Sequence, residues 1–309
     1  MIKNLVVGGL GFIGSNLIDK LIQLDEEVIC LDNFSSGQSH YLKKWENHSK
    51  FYFLKGDILD SLGIKFEKLW HLACPASPKM YLKDPILTSK INFEGTLNLL
   101  NMAKEQNAKV LFASSSEVYG NCKKFPQDEL SLGYINTTNP RSCYAHGKRI
   151  AETLCFDFRR SYQMDIKVAR IFNTYGPRLN KNDGRVISNF INQALNNLPM
   201  TIYGDGLQTR SFCYVDDTIN ALILLMDSDF NSPMNIGNNY EISIIDLAKL
   251  IDKKIHNSQK FIFEEMLHEE PERRCPSLNL AKNVINWEPK VNLEDGLDFT
   301  ISSFDQTFN

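Results

Sequence analysis

The run NLVVGGLGFIGSNLIDKLIQL, close to the start of the chain, constrains the fold more than any other stretch. An apolar segment of strand length leads into Gly8, Gly11 and Gly14 at GxxGxxG spacing, and Ile13, Leu17, Leu21 and Leu24 then recur with helical period. EVICLD reads as a second strand that ends on Asp32, eighteen residues after Gly14. A tight glycine turn lets backbone approach a pyrophosphate, and the following helix offers it unpaired N–H donors. A carboxylate closing the next strand is placed to bind adenosine ribose hydroxyls. Phe12 and Ile13 on the turn and Asn33 after Asp32 are expected beside the same cofactor. The alternative, glycines that serve only helix–strand packing, explains the turn but not the acid. The loop NFSSGQSHY carries no Lys or Arg near Asp32. A 2′-phosphate would meet a carboxylate without a cation, so NAD is expected rather than NADP.

The same alternation continues. FYFLKGDI ends in Gly56-Asp57-Ile58, KLWHLAC is a short apolar strand, INFEGTLNLLNMAKEQ a helix, and KVLFASSS a strand again. Strands alternating with helices imply an α/β fold with a doubly wound parallel sheet, whose ligands collect at the carboxyl ends of the strands. Those ends carry Gly8, Asp32, Asp57, Ile58, Leu72, Ala73 and the cluster Ser114–Glu117. After about residue 173 the alternation loosens. The expected division is a cofactor domain over 1–172, with returning segments near 212–240, and a mainly substrate-binding part over 173–309.

The totals narrow the class. The chain has 309 residues, 43% hydrophobic and 23% charged, with a net charge of -3, which speaks against a general nucleic-acid binder. No apolar run approaches the roughly 20 residues that span a bilayer, so no membrane partner is expected. Seven cysteines without a CxxC pair fit reduced thiols better than disulfides or a metal site, and no metal is expected.

Tyr144 and Lys148, in RSCYAHGKRIAE, stand four apart on a predicted helix and share a face. A tyrosine ordinarily has a pKa of about 10; a lysine charge about 4 Å away, at an effective dielectric near 20, is worth about 4 kcal/mol, or roughly three pK units. That would bring the phenol into range for general-base work. The competing reading is an ordinary amphipathic pair. Ser115 could orient the same substrate oxygen.

A Ser or Thr at a strand end followed by Tyr-x-x-x-Lys is the constellation of short-chain dehydrogenases/reductases, and the chain resembles their extended branch, with a Rossmann sheet and a smaller interleaved substrate domain. HLACPASPKMY, ASSSEVYG, NPRSCYAHGKRIAET, ARIFNTYGPR, NDGRVISNFI, IYGDGLQTRSFCYVDD and INWEPKVNLEDGL, in this order, resemble the UDP-glucuronate decarboxylases, or UDP-xylose synthases. The resemblance implies catalytic roles for Ser115, Glu117, Tyr144, Lys148 and Arg185, with Arg185 holding the sugar carboxylate. It implies substrate contacts from Lys90, Asn173, Arg185, Asn189, Thr201, Tyr203, Arg210 and Arg273. Oxidation at C4 would give a β-keto acid that loses CO₂, and NAD would be recycled while UDP-glucuronate becomes UDP-xylose. Glu117 would help protonate C5 or orient the ring.

Rival readings are a UDP-sugar 4-epimerase or 4,6-dehydratase and a non-catalytic NAD-binding regulator. Ser116-Glu117 stands where such a dehydratase has Asp-Glu. The resemblance further implies a homodimer paired through helices 93–105 and 143–160, and a cytoplasmic enzyme. Three places depart from the pattern: Val7-Gly8-Gly9 where Thr is usual, Ala145-His146 where an acidic pair is common, and Ser277 in place of Asp.

Overall fold

The structure, a computed structural model, describes residues 3–60, 62–255, 260–265 and 272–305. Strand β1 (Lys3–Val7), helix α1 (Phe12–Gln23) and strand β2 (Glu27–Asp32) form the opening unit. Helix α2 (Leu42–Trp45), β3 (Phe51–Lys55), β4 (Lys68–His71), α3 (Pro78–Tyr81) and α4 (Pro85–Lys90) follow. Then come α5 (Thr96–Glu105), β5 (Lys109–Ser115), α6 (Ser142–Tyr162) and β6 (Ile166–Ile171).

Beyond β6 the chain leaves the large sheet through β7 (Thr174–Tyr175), α7 (Val186–Leu195), β8 (Met200–Tyr203), β9 (Thr209–Ser211) and β10 (Cys213–Tyr214). It returns with α8 (Val215–Asp227) and β11 (Pro233–Ile236), which pairs with β6. Strand β12 (Glu241–Ser243), α9 (Ile244–Ile255), β13 (Phe261–Glu264), β14 (Arg273–Arg274), α10 (Asn279–Ile285) and α11 (Leu293–Asp305) complete the chain.

The main sheet has seven strands in the order β11-β6-β5-β4-β1-β2-β3, and every neighbouring pair is parallel. Strand order reverses between β1 and β4, so a crevice opens there at the carboxyl edge. Successive residues of β1 serve opposite faces: Val6 joins a core with Leu17, Ile18 and Leu21, whereas Leu5 and Val7 join one with Leu99, Leu100 and Ala151. Both faces are therefore covered, by α1 and α8 on one side and α5 and α6 on the other. This burial explains the continuous apolar strands read from the sequence.

Two local departures have physical causes. The helix expected over INFEGTLNLLNMAKEQ begins as a π-turn, Ile91–Gly95, before α5 proper. Asn92 is buried at this turn and donates Nδ2 to Thr88 O at 2.9 Å and to Cys74 Sγ at 3.2 Å, which ties the widened turn to the end of β4. The segment MTIYGDGLQTRSF supplies β8 and β9 to two different small sheets: β8 pairs with β13, and β9 lies between β12 and β14. Among the described residues, no helix is long and apolar enough to cross a membrane.

Candidate active site

A cleft of about 970 Å³ runs along the carboxyl edge of the large sheet, from the glycine turn to the small sheets. At one end Gly8 has φ +77°, and a Cβ there would stand 2.9 Å from Ala73 backbone. A Cβ on Gly14 would lie 2.3 Å from Gly8 O, so backbone fills the space that side chains would take. Helix α1 starts without a side-chain cap and without an acid in its first turn, which leaves its N-terminus suited to an anion. The buried Asp32 carboxylate accepts from Leu10 N at 3.0 Å and Phe34 N at 2.8 Å. Burial raises its pKa, against those backbone donors. Asn33 donates to Asp57 at 2.7 Å. Gly11, Phe12, Ile13, Ile58 and Leu72 line the same end. A bare glycine cradle beside a helix N-terminus, with a carboxylate across it, fits a dinucleotide.

Farther along, Ser115 ends β5, and its Oγ accepts from Glu117 N at 3.3 Å, which caps the 3₁₀ turn Ser116–Tyr119. Tyr144 and Lys148 occupy consecutive turns of α6, with Tyr144 7% and Lys148 3% exposed. The Ser115 side chain is close enough to the Tyr144 phenol to favour its ionised form. Its ring stacks on Tyr81 with centroids 5.0 Å apart.

In the chain alone, the main influences on Tyr144 are others than the lysine expected from helix spacing. Lys148 Nζ donates to Ala113 O at 2.9 Å and sits 5.9 Å from the Tyr144 ring centroid. Burial lowers the Lys148 pKa. Burial is also the largest influence on Tyr144 and pushes its phenol far up, with the nearby Cys74 thiol adding to it, while Ser115 and Arg185 pull the other way. The chain by itself keeps Tyr144 protonated at neutral pH; the activation estimated from a 4 Å approach needs a further positive charge.

Glu117 behaves oppositely. Burial works to raise its pKa, but Arg274, Arg141 and Arg210 outweigh it and hold the carboxyl below the ordinary glutamate range. Glu117 is thus an anion at neutral pH, and direct proton donation to C5 is the less suitable of its two expected roles. Arg185, just before α7, lines the cleft with Nε 2.9 Å from Asp183 Oδ2.

The chain matches the family model described as GDP-mannose 4,6 dehydratase over residues 5–300. It is 46% identical over 301 residues to UDP-glucuronic acid decarboxylase 6 of Arabidopsis thaliana, covering 97% of this chain and 88% of that protein. This chain belongs to the UDP-glucuronic acid decarboxylase family. UDP-glucuronic acid decarboxylase 1 of Xenopus tropicalis is 45% identical, covering 97% of this chain and 71% of that one. Among solved structures, UDP-glucose 4-epimerase of Thermotoga maritima with UDP-glucose is 30% identical, with TM-score 0.92 and full coverage of both chains. UDP-glucuronic acid 4-epimerase of Bacillus cereus with UDP-glucuronic acid and NAD is 28% identical, with TM-score 0.88, covering 99% of this chain and 100% of the other.

Within this decarboxylase-family cleft, Asn173, Asn189, Thr201, Tyr203 and Arg210 are lining residues, Asn173 just past β6 and the others on or near α7, β8 and β9. Gln193 fixes Thr201, donating to its Oγ1 at 3.0 Å. Two expected residues do not line the cleft. Lys90 is exposed and lies 3.6 Å from Glu94, one helical turn on. Arg273 is exposed, forks onto Glu241 and covers the Phe125 ring. Its neighbour Arg274 is buried and lines the cleft instead. Strand residues alternate in direction, so only one of the pair Arg273-Arg274 can face inward, and the sequence carries no sign of which. Arg141, Tyr81 and Cys74 also line the cleft without having been expected there. Arg141 had a usable signal: it stands one helical turn before Tyr144. Ala145 is buried and His146 lines a separate shallow cavity with Phe93, Cys143 and Ile150. Neither belongs to the cleft.

Proposed function

We propose that this protein converts UDP-glucuronate to UDP-xylose and CO₂. The observation that carries the reading is one cleft holding Ser115, Tyr144 and Lys148 together with Glu117 and Arg185. The relatives named for this activity, at up to 46% identity, support it. NAD, present in solved neighbours such as the Bacillus cereus epimerase, would be held by the glycine turn and Asp32 and would supply reversible hydride transfer and a positive charge to the site.

The chain's own residues do the rest. Tyr144 Oη takes the proton of the C4 hydroxyl, with Ser115 Oγ holding the same oxygen. Lys148, anchored on Ala113 O, keeps a positive charge beneath that pair. Arg185 holds the C6 carboxylate with the planar fork that suits two oxygens. Once C4 is a ketone, the C5–C6 bond breaks, CO₂ leaves and the electron pair moves onto the C4 oxygen as an enolate. Tyr144 and Ser115 stabilise that oxyanion as hydrogen-bond donors. Glu117, ionised, orients the ring or a water near C5, and water supplies the C5 proton that returns the enolate to the C4 ketone. Arg210 meets the diphosphate and Tyr203 the uracil. Asn173, Asn189 and Thr201 complete the substrate contacts.

Incubation with UDP-glucuronate and NAD, with products resolved by NMR, tests this. UDP-xylose is expected. UDP-galacturonate would favour the 4-epimerase reading, which the epimerases among the fold's neighbours keep in view; a 4,6-dehydratase reading lacks the acid that Ser116 replaces. A homodimer paired through 93–105 and 143–160, where Phe93 and Ile150 stand exposed, belongs to the same proposal, as does a cytoplasmic location. Sedimentation and cell fractionation test these two.

A further inference from the structure

Lys148 is a buried cation, and among the described residues no carboxylate pairs with it. Its Nζ donates to Ala113 O at 2.9 Å. Glu152, one turn further along α6, gives its oxygens to Arg170 and Ser114 instead. An ammonium taken out of water and held by one carbonyl is costly, so the other groups that face it decide whether it keeps its charge.

The group beneath it is an aromatic ring. Nζ stands over Phe112, 4.8 Å from the ring centroid, and 5.9 Å from that of Tyr144. A ring face is negative and attracts a cation within about 6 Å, more strongly where water is excluded. Phe112 is fully buried on the side of the sheet that α5 and α6 cover, in one core with Leu99, Leu100 and Ala151. An aliphatic side chain would fill that core as well; only an aromatic one offers a negative face. The remaining groups around Nζ are neutral or otherwise engaged. His71 pairs with Phe112 across β4 and β5, with ring centroids 5.2 Å apart and Nε2 3.0 Å from Thr96 Oγ1. Burial and then the Lys148 charge lower its pKa to about 3, so it adds no second cation. Burial keeps Cys74, Cys155 and Tyr144 protonated at neutral pH. Glu152 acts at longer range, with its charge shared by Arg170. We infer that Phe112 is a positioning residue, whose ring face stands in for a carboxylate and holds the Lys148 ammonium charged beside Ala113 O, within reach of Tyr144. The catalytic consequence rests on the decarboxylase reading of the cleft; the ring's hold on Lys148 does not.

The test uses NAD-loaded protein without substrate, carbon-13-labelled at the lysine Cε atoms, with the Lys148 NMR signal identified by its loss in Lys148→Arg. Phe112 is replaced site-specifically by mono-, di- and trifluorinated phenylalanine, which keep the ring's shape and drain charge from its face. The Lys148 midpoint falls with each added fluorine, by about one pH unit in all. The direction follows because the ring favours the charged form, and weakening it lets the proton leave at lower pH. The monofluorinated protein, nearest the parent in size, supplies the comparison if the trifluorinated chain does not fold. In activity, the alkaline limb of the kcat profile, where Lys148 loses its charge, moves down with the midpoint, while KM for UDP-glucuronate changes little. A Lys148 midpoint that stays put through the fluorinated series overturns the inference. So does a midpoint that falls in Phe112→Leu alone, which would make the ring a packing element only. Because the titration needs no substrate, a failed decarboxylation assay leaves it readable.

Discussion

Tyr144 shows how little of a candidate base's behaviour is its spacing to a partner. Four residues along a helix put Lys148 on the same face, where its ammonium donates to Ala113 O, while burial, Cys74, Ser115 and Arg185 are the main influences on the phenol in the chain alone. Removing the hydroxyl alone isolates its chemical part. Tyr144→Phe keeps the ring and its stacking on Tyr81, so NAD affinity should hold while kcat falls by about 10²–10⁴-fold, as expected for loss of a general base. Equal activity in the Phe variant would reassign the base. Arg274 teaches a related lesson. The dipeptide Arg273-Arg274 was legible as a source of cations, but the parity of a two-residue strand was not, because so short a strand has no alternation to read.

At the level of elements, the opening β1–α1–β2 unit could be read almost completely. Its strand ends in the apolar run Leu5–Val7, its helix has a clear period, and its turn needs glycines for a steric reason the structure makes concrete. A methyl group on Gly14 would meet Gly8 O and the Gly9 backbone. Gly14→Ala should therefore destabilise the fold by about 1–3 kcal/mol, seen as a lower denaturation midpoint, and weaken NAD binding as the turn shifts. A variant with parent-like stability and affinity would show that the turn relaxes freely.

Behind β5, Glu152 and Arg170 form a buried fork, Arg170 Nε to Oε1 at 3.0 Å and Nη2 to Oε2 at 2.8 Å, with Ser114 Oγ on the same carboxylate. This pair locks α6 to the strand end that bears Ser115. Arg170→Met leaves the Glu152 charge buried without its partner and should cost about 3–5 kcal/mol in chemical denaturation. A loss below that of an ordinary surface substitution would mean that the carboxyl simply protonates.

Across the whole molecule, what the sequence disclosed follows the range of the contacts involved. The parallel sheet was legible from local alternation, because each βα unit announces itself within about thirty residues. The pairing of β8 with β13 joins segments some sixty residues apart, without a turn signal between them to set the register. The cleft lies between these two kinds of structure. Its cofactor end came from local motif. Its arginines at Glu117 came from the residue before α6, from β9 and from β14, and only the assembled fold brings them to one carboxylate.

The central claim is that this cleft removes the C6 carboxyl while its redox steps cancel. The most direct measurement follows CO₂ released from UDP-glucuronate labelled at C6, alongside nicotinamide absorbance. CO₂ equal in amount to UDP-xylose, over many turnovers and without net NADH accumulation, is the predicted result. Steady NADH formation, or retention of the label in an epimerised sugar, would contradict it.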